Sequence, residues 1–198
     1  MGDIRSAWEI AQEKAGKLGE LSPEERNKHR EDRCNQLGKS LAEKYLEKGD
    51  AKRLETELNK QDDADKELMG RAVIERLVEG IDLRNSLMLD KISQGISHIT
   101  RGKTTETINK LKELAQEYDE ADEKEREEID KVGKELLHQM RISGTAISRV
   151  NILAKTEWQE KISRLDRPFE NRLNELKQEL LNSVHVSYPA ANQPIPDS

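Results

Sequence analysis

The chain has 198 residues, 37% of them charged and 33% apolar, and a net charge of −6 at pH 7. Ordinary globular domains have about a quarter charged and nearly half apolar residues, so this composition argues against a thick globular core. It contains two Trp, three Tyr and one Phe, and no segment reaches the ~20 consecutive apolar residues of a membrane-spanning helix. Disorder would also explain high charge, but the apolar residues recur at helical spacing, which favours long helices with one apolar stripe each.

The N-terminal third is predicted to form short helices. Asp3 is a candidate N-cap for a helix that carries Trp8. The sequence Ser-Pro-Glu-Glu at positions 22–25 predicts a second helix, with serine as N-cap, proline in the first turn and glutamate completing a capping box. This helix is expected to end at Gly49, and Asp50 is expected to cap a third helix.

Residues 63–101 are predicted to form one long helix. Apolar residues between Leu68 and Ile99 make its stripe wide, which indicates contacts on more than one side. Gly102 is interpreted as the helix stop. The Gly-Lys-Thr sequence at 102–104 lacks the earlier glycine and the preceding strand of a phosphate-binding loop, so no nucleotide is expected there.

A single apolar stripe with steps of three or four residues runs through residues 104–182. One helix over this stripe would be about 110 Å long, so the chain is expected either to fold back or to form a rod. Residues 117–131 have few apolar positions and form either a hairpin tip or a solvated helical arm. Residues 104–140 contain twelve acidic and six basic residues, which equals the whole net charge. Pro168 is expected to kink or interrupt the last helix.

Residue patterns that indicate catalysis or metal binding are weak in this sequence. Glu135 and His138 have the Glu-x-x-His spacing of di-iron bundles, but a working site needs a second such pair, and none of the other histidines has Glu three positions before it. Both are therefore interpreted as surface residues. Cys34 is the single cysteine and is interpreted as a small apolar residue. No catalytic residue, cofactor or metal is predicted, and the protein is expected not to be an enzyme.

Trp8 and Trp158 are the candidate partner-binding residues. Both lie in helical stripes, where the simpler interpretation is an ordinary core residue. Tryptophan is, however, over-represented at binding hot spots. Trp8 is the stronger candidate because it belongs to a short helix that could dock as a helix-in-groove ligand.

These patterns predict an all-α fold, an elongated antiparallel helical hairpin or thin coiled-coil-like bundle with N-terminal accessory helices. Three regions are expected: short helices over 1–60, the long-helix hairpin or bundle over 61–182, and a disordered, proline-containing tail over 183–198. Thin bundles commonly complete their cores by self-association, so a homo-oligomer, in the simplest case a dimer, is expected.

The sequence favours a non-enzymatic protein–protein interaction module, such as a coiled-coil adaptor, scaffold or assembly factor. The alternative is a nucleic-acid- or ribosome-associated regulatory protein that uses basic helix faces. It is disfavoured because no stretch is strongly basic. The start of the chain lacks the apolar run of a signal peptide, so a cytoplasmic protein without membrane contact is expected. The basic residues considered for the alternative are Arg141, Arg149, Lys155, Arg164 and Arg167.

Overall fold

The computed structural model describes residues 22–142, 151 and 155–187, with side chains up to residue 184. Within these ranges the chain forms helices and no strand, which confirms the predicted all-α fold. The helix predicted to begin at Asp3 and to carry Trp8 lies outside the described residues. The helices are α1 (Pro23–Lys48), α2 (Ala51–Asn59), α3 (Asp63–Glu79), α4 (Ser86–Thr100), α5 (Thr105–Gln139) and α6 (Thr156–Ser187).

The helix boundaries predicted near residues 22–50 are confirmed. Ser22 Oγ accepts the Glu25 backbone N–H at 3.1 Å, and Glu25 Oε2 accepts the Ser22 backbone N–H at 2.8 Å, so the capping box is complete. Gly49 ends α1 with a φ of +73°, a conformation that glycine adopts without steric cost. Asp50 Oδ1 accepts the Arg53 backbone N–H at 3.0 Å and starts α2.

The single helix predicted over residues 63–101 is wrong, because the structure contains two helices there, α3 and α4. Asp82 Oδ1 accepts the backbone N–H two residues ahead at 2.9 Å, and Asn85 Oδ1 caps α4 by accepting the N–H three residues ahead at 3.0 Å. Such side chains offer the backbone an alternative to continued helix. The turn also changes which residues face the core, and Leu87, predicted to widen the buried stripe, is 82% exposed.

Helices α1 and α3 run parallel and approach each other closely at Gly38. Arg33 pairs with Asp65 and Glu43 pairs with Arg76 at sequence separations of 32 and 33 residues, and nearly equal separations indicate parallel helices. A Cβ atom on Gly38 would lie 2.6 Å from a backbone oxygen of α3. The missing side chain therefore allows the two backbones to touch.

Helix α4 packs antiparallel to α3. A Cβ atom on Gly80 would lie 3.5 Å from the Ile92 side chain, and one on Gly95 would lie 3.2 Å from the Leu77 side chain. Residue numbers thus rise on α4 as they fall on α3. Tyr45 of α1 also packs against Gly95, and α2 contacts both α3 and α4. The first four helices therefore form one packed group, in agreement with the predicted contacts on several sides of residues 63–101.

Helices α5 and α6 form an antiparallel pair. Three polar contacts set its register: Thr107 with Glu179 at 2.9 Å, Glu117 with Arg172 at 2.6 Å, and Glu125 with Lys161 at 3.3 Å. Residues 117–131 lie inside the continuous helix α5. Of the two alternatives predicted for this segment, the helical arm is therefore correct and the hairpin tip is wrong. One hydrophobic cluster includes side chains from α1 through α6, and it ends on α5 at Tyr118.

Helix α6 differs from two predictions. It continues through Pro168, so the expected interruption is wrong, while the alternative of a kink stays a prediction. Contacts next to this residue hold the helix in place, because the Phe169 ring packs edge-on against Tyr118 at a centroid distance of 5.3 Å. The helix also continues to Ser187, beyond the boundary predicted at residue 182, and Val184 is buried in the core cluster. Residues 188–198 of the predicted tail lie outside the described residues.

Asp65 joins the start of α3 to α1 through two arginines. Its carboxylate accepts hydrogen bonds from Arg30 Nε and, at 2.9 Å, from Arg33 Nη2, and the residue is buried. The hydrogen bond from Arg30 lowers the pKa of Asp65 below its ordinary value. Cys34 is buried beside this group, which agrees with its interpretation as a small apolar residue, and burial raises the pKa of its thiol.

Replacing Asp65 with asparagine is expected to destabilise the protein in a pH-dependent way. A carboxylate whose pKa is lowered by folding stabilises the native state above its unfolded pKa, about 3.9, and loses that contribution as pH falls through the folded value. The difference in unfolding free energy between wild type and D65N should therefore be constant near neutral pH and shrink below about pH 4. Urea unfolding over a pH series measures it, with Asp63→Asn as the exposed control. A difference that persists undiminished at the acid end would exclude the ionic contribution.

Candidate partner-binding surface

A polar clamp ties the α5–α6 pair to the turn between α3 and α4. Arg84 Nε donates to Tyr118 Oη at 3.0 Å, Tyr118 Oη donates to Asp166 Oδ1 at 2.9 Å, and Arg84 Nη2 lies 2.7 Å from Asp166 Oδ2. Tyr118 is buried, and this burial raises the pKa of its phenol, so the hydroxyl remains a donor. Each of the three groups is a partner of the other two. The clamp therefore acts in positioning the helices.

The part of the α5–α6 pair beyond the clamp is named the distal arm, residues 119–142 and 155–165. The helical residues 119–139 extend about 30 Å at 1.5 Å per residue. The register of the pair places Trp158 of α6 opposite Ile129 of α5, and both side chains are buried. Neither belongs to the main hydrophobic cluster, whose last member on α5 is Tyr118.

Trp158, one of the two predicted partner-binding residues, is 7% exposed. The Lys155 ammonium lies 5.3 Å from its ring centroid, a cation–π distance. The tryptophan is thus covered within this chain. A role of Trp158 in partner binding stays a prediction. Trp8, the other candidate, lies outside the described residues.

The end of α5 exposes large apolar side chains. Val132 is 46%, Met140 is 68% and Ile142 is 48% exposed, while Leu136 and Leu137 between them are half-buried. These five residues are named the distal face. Elsewhere in the described part of the chain, the exposed large apolar residues are isolated ones, at positions 37 and 87. The distal face is therefore a concentration of apolar surface in an otherwise highly charged protein.

At the distal face, residues of the predicted apolar stripe are exposed, although the stripe was expected to mark buried positions. Val132 and Met140 continue the spacing of Ile129, yet they are exposed. By the register of the pair, α6 begins at Thr156 opposite the residue after Ile129, so the described α6 does not run beside them. The sequence has a helix breaker shortly after this point, Gly144, which lies outside the described residues.

The distal arm is acidic between the clamp and its apolar end. Residues 119–130 contain eight acidic and two basic residues, whereas residues 131–142, which carry the distal face, contain one acidic and three basic residues. Asp130 pairs with Lys134 at 2.6 Å across this boundary. The arm therefore combines an acidic middle segment with an apolar end. The acidic segment repels nucleic acid phosphates.

The basic residues considered for nucleic-acid binding do not all remain free. Lys155 lies over Trp158, and Arg164 pairs with Glu160 at 3.3 Å. Arg149 lies outside the described residues. Glu135 and His138 are exposed, as predicted.

The described residues contain neither a metal-binding group nor a membrane-spanning helix. Among them, no three or more His, Cys, Asp and Glu side chains form a group that could hold a metal ion. None of the helices in the described ranges is long and apolar enough to cross a membrane.

The geometry defines the class of protein as an all-α helical bundle with a two-helix arm. Comparison of the chain with protein-family models, curated proteins and solved structures finds no match.

Proposed function

We propose that this chain is a non-enzymatic protein–protein interaction module, an adaptor, scaffold or assembly factor, and that the distal face binds its partner. The observation that carries this proposal is the concentration of exposed apolar side chains at residues 132–142. Contiguous exposed apolar patches are unfavourable in water and commonly mark binding surfaces.

The chemistry of the distal face indicates what kind of surface it fits. Three exposed and two half-buried apolar side chains on one helix end match the apolar face of an amphipathic partner helix. The acidic residues 119–130, which precede the distal face on α5, would favour a partner with basic residues on that side of the contact. Ile129 and Trp158, which the register of the pair places opposite each other next to this face, are both buried.

Self-association belongs to the same proposal, because a homo-oligomer would also cover apolar surface. The net charge of −6 works against it, since two copies of an acidic chain repel each other. Light scattering after size exclusion at increasing salt separates these effects. A dimer whose affinity rises with salt would have the distal face as its interface if the double variant Val132→Asp/Met140→Asp is monomeric under the same conditions.

The double variant Val132→Asp/Met140→Asp is expected to lose its partner. Both side chains are exposed in the free protein, so the fold should tolerate the charges, while burial of two carboxylates in a contact is strongly unfavourable. Partner recovery should fall at least tenfold in affinity capture from native lysate, measured by quantitative mass spectrometry after nuclease treatment. Leu87→Asp is the matched control, because that side chain is also exposed but lies on α4.

Two comparisons decide the outcome: recovery by the double variant against recovery by the control, and recovery with against recovery without nuclease. A protein captured by wild type and by Leu87→Asp, but not by the double variant, supports the proposal. Equal recovery by all three chains contradicts it. Recovery of ribosomal or nucleic-acid-binding proteins only without nuclease would favour the nucleic-acid alternative. The same capture with Trp8→Ala tests the second predicted anchor.

A further inference from the structure

A cleft of about 470 Å³ lies at the end of the bundle away from the Arg84 clamp. Its walls come from the end of α2, the first two turns of α3 and the turn from α4 into α5. Leu58, Gly70 and Ile99 give it an apolar floor. The volume is in the range of small-molecule sites, about 300–1,000 Å³.

Gly70 keeps this cleft open without being required by packing. A Cβ atom on Gly70 would meet nothing within 4 Å, whereas one on Gly38 or Gly95 would lie 2.6 Å or 2.5 Å from the nearest atom. Glycine inside a helix is less stable than alanine. Close helix contacts thus account for the absence of a side chain at Gly38 and Gly95. No such contact exists at Gly70, where the absence of a side chain leaves the cleft open.

The rim of the cleft is charged, and its charged side chains that lack a partner in the described chain lie on two walls, acidic on α3 and basic on the turn after α4. Among the residues of this cleft, Glu55 contacts His98 Nε2 at 2.9 Å, and Lys66 Nζ donates to Asn59 Oδ1 at 2.6 Å. Four further charged side chains of the rim have no side-chain hydrogen bond or ion pair within the described part of the chain. These are Asp63 and Glu67 on α3, and Arg101 and Lys103 on the turn after α4.

Arg101 is held at this rim in an unfavourable backbone conformation. Its φ is +52°, in the left-handed region that favours glycine, and Gly102 follows with a φ of +78°. A residue other than glycine in this conformation is strained, and such strain is concentrated at functional positions. An arginine therefore stands at a helix end where glycine would be more stable.

From these features we infer that the cleft binds a small zwitterion with an apolar body, the chemistry of an apolar amino acid or dipeptide with free ends. The ammonium group would face Asp63 and Glu67, and the carboxylate would face Arg101 and Lys103. The apolar side chains would occupy the space in front of Gly70. Polyanions such as nucleotides are disfavoured, because the rim has three acidic side chains beside its three Lys and Arg side chains. This inference is independent of the distal face.

The dipeptide leucyl-phenylalanine is the probe, titrated into the full chain and followed by calorimetry and NMR. Wild type should bind it at least tenfold more tightly than its N-acetylated or its C-amidated form, since each modification removes one charge. Gly70→Leu should weaken binding at least tenfold by filling the cleft, while Gly70→Ala retains most of it. Glu67→Gln and Lys103→Gln should each weaken binding about three- to tenfold, and the exposed Lys39→Gln is the matched control.

Three results would overturn the inference. They are the absence of dipeptide binding by wild type, equal affinity for the three forms of the peptide, and unchanged binding by a folded Gly70→Leu variant. Circular dichroism establishes that each variant is folded. If Gly70→Leu does not fold, the charge variants decide, because unchanged affinity in both excludes the proposed contacts.

Discussion

Replacing Gly38 with alanine is expected to destabilise the protein by about 1–3 kcal/mol, the usual cost of overpacking a closely packed contact. Alanine is the better helix former, so local propensity alone predicts the opposite sign. The added Cβ atom would lie 2.6 Å from the Met69 carbonyl oxygen and 2.7 Å from the Ala72 Cβ. The carbonyl is backbone, so α1 and α3 must move apart. Urea unfolding followed by circular dichroism measures the loss.

Gly70→Ala is the matched control for Gly38→Ala. Both residues are buried helical glycines, and they lie on the two helices that pack together. Open space surrounds the Cβ position of Gly70, so alanine there should stabilise the protein by about 0.5–1 kcal/mol through helix propensity. Opposite signs at the two positions would establish the close α1–α3 contact. Stabilisation at both would show that the helices are farther apart than described.

Leu77→Ala is expected to have the largest effect on stability, a loss of about 2–5 kcal/mol from removed burial and the cavity left behind. Leu77 is fully buried on α3, and its Cδ1 atom would lie 3.2 Å from a Cβ on Gly95. Helix α3 contacts α1, α2, α4 and α6, so neighbouring side chains cannot easily collapse into the space. Many proteins are stable by only about 5–15 kcal/mol, so the variant should unfold at much lower urea concentration.

Leu87→Ala is the control for this substitution, because the same chemical change is made where the side chain is 82% exposed. Its effect should stay within about 0.5 kcal/mol. A long helix over residues 63–101 would instead place both leucines on one continuous apolar stripe. Similar losses in both variants would therefore contradict the turn between α3 and α4.

Local signals in the sequence were sufficient for several features of the fold. The capping box at Ser22, the stop at Gly49 and the cap at Asp50 each depend on a few neighbouring residues, and all three were predicted correctly. The all-α class follows from apolar spacing, which one face of a helix dictates. The turn at 80–85 also had a local signal, in Asp82 and Asn85, but the apolar residues on both sides concealed it.

The candidate surfaces were less accessible to sequence reasoning. Apolar spacing identifies the side of a helix that prefers burial, but it does not state whether another helix is present on that side. Val132 and Met140 fit the stripe as well as Ile129 does, and only the end of the helix pair makes them exposed. Likewise, Gly70 resembles Gly38 in sequence, and their surroundings alone distinguish an open cleft from a helix contact.

The sequence by itself determined the helical class, the capped ends of α1 and α2 and the acidic character of residues 104–140, because each depends on neighbouring residues or on composition. Tertiary structure decided that α6 continues through Pro168, that the chain packs α1 parallel to α3, and that the apolar stripe ends at an exposed face. These features depend on contacts between residues far apart in the chain. Such contacts are set by which helices meet, and helix spacing in one segment carries no information about its neighbours.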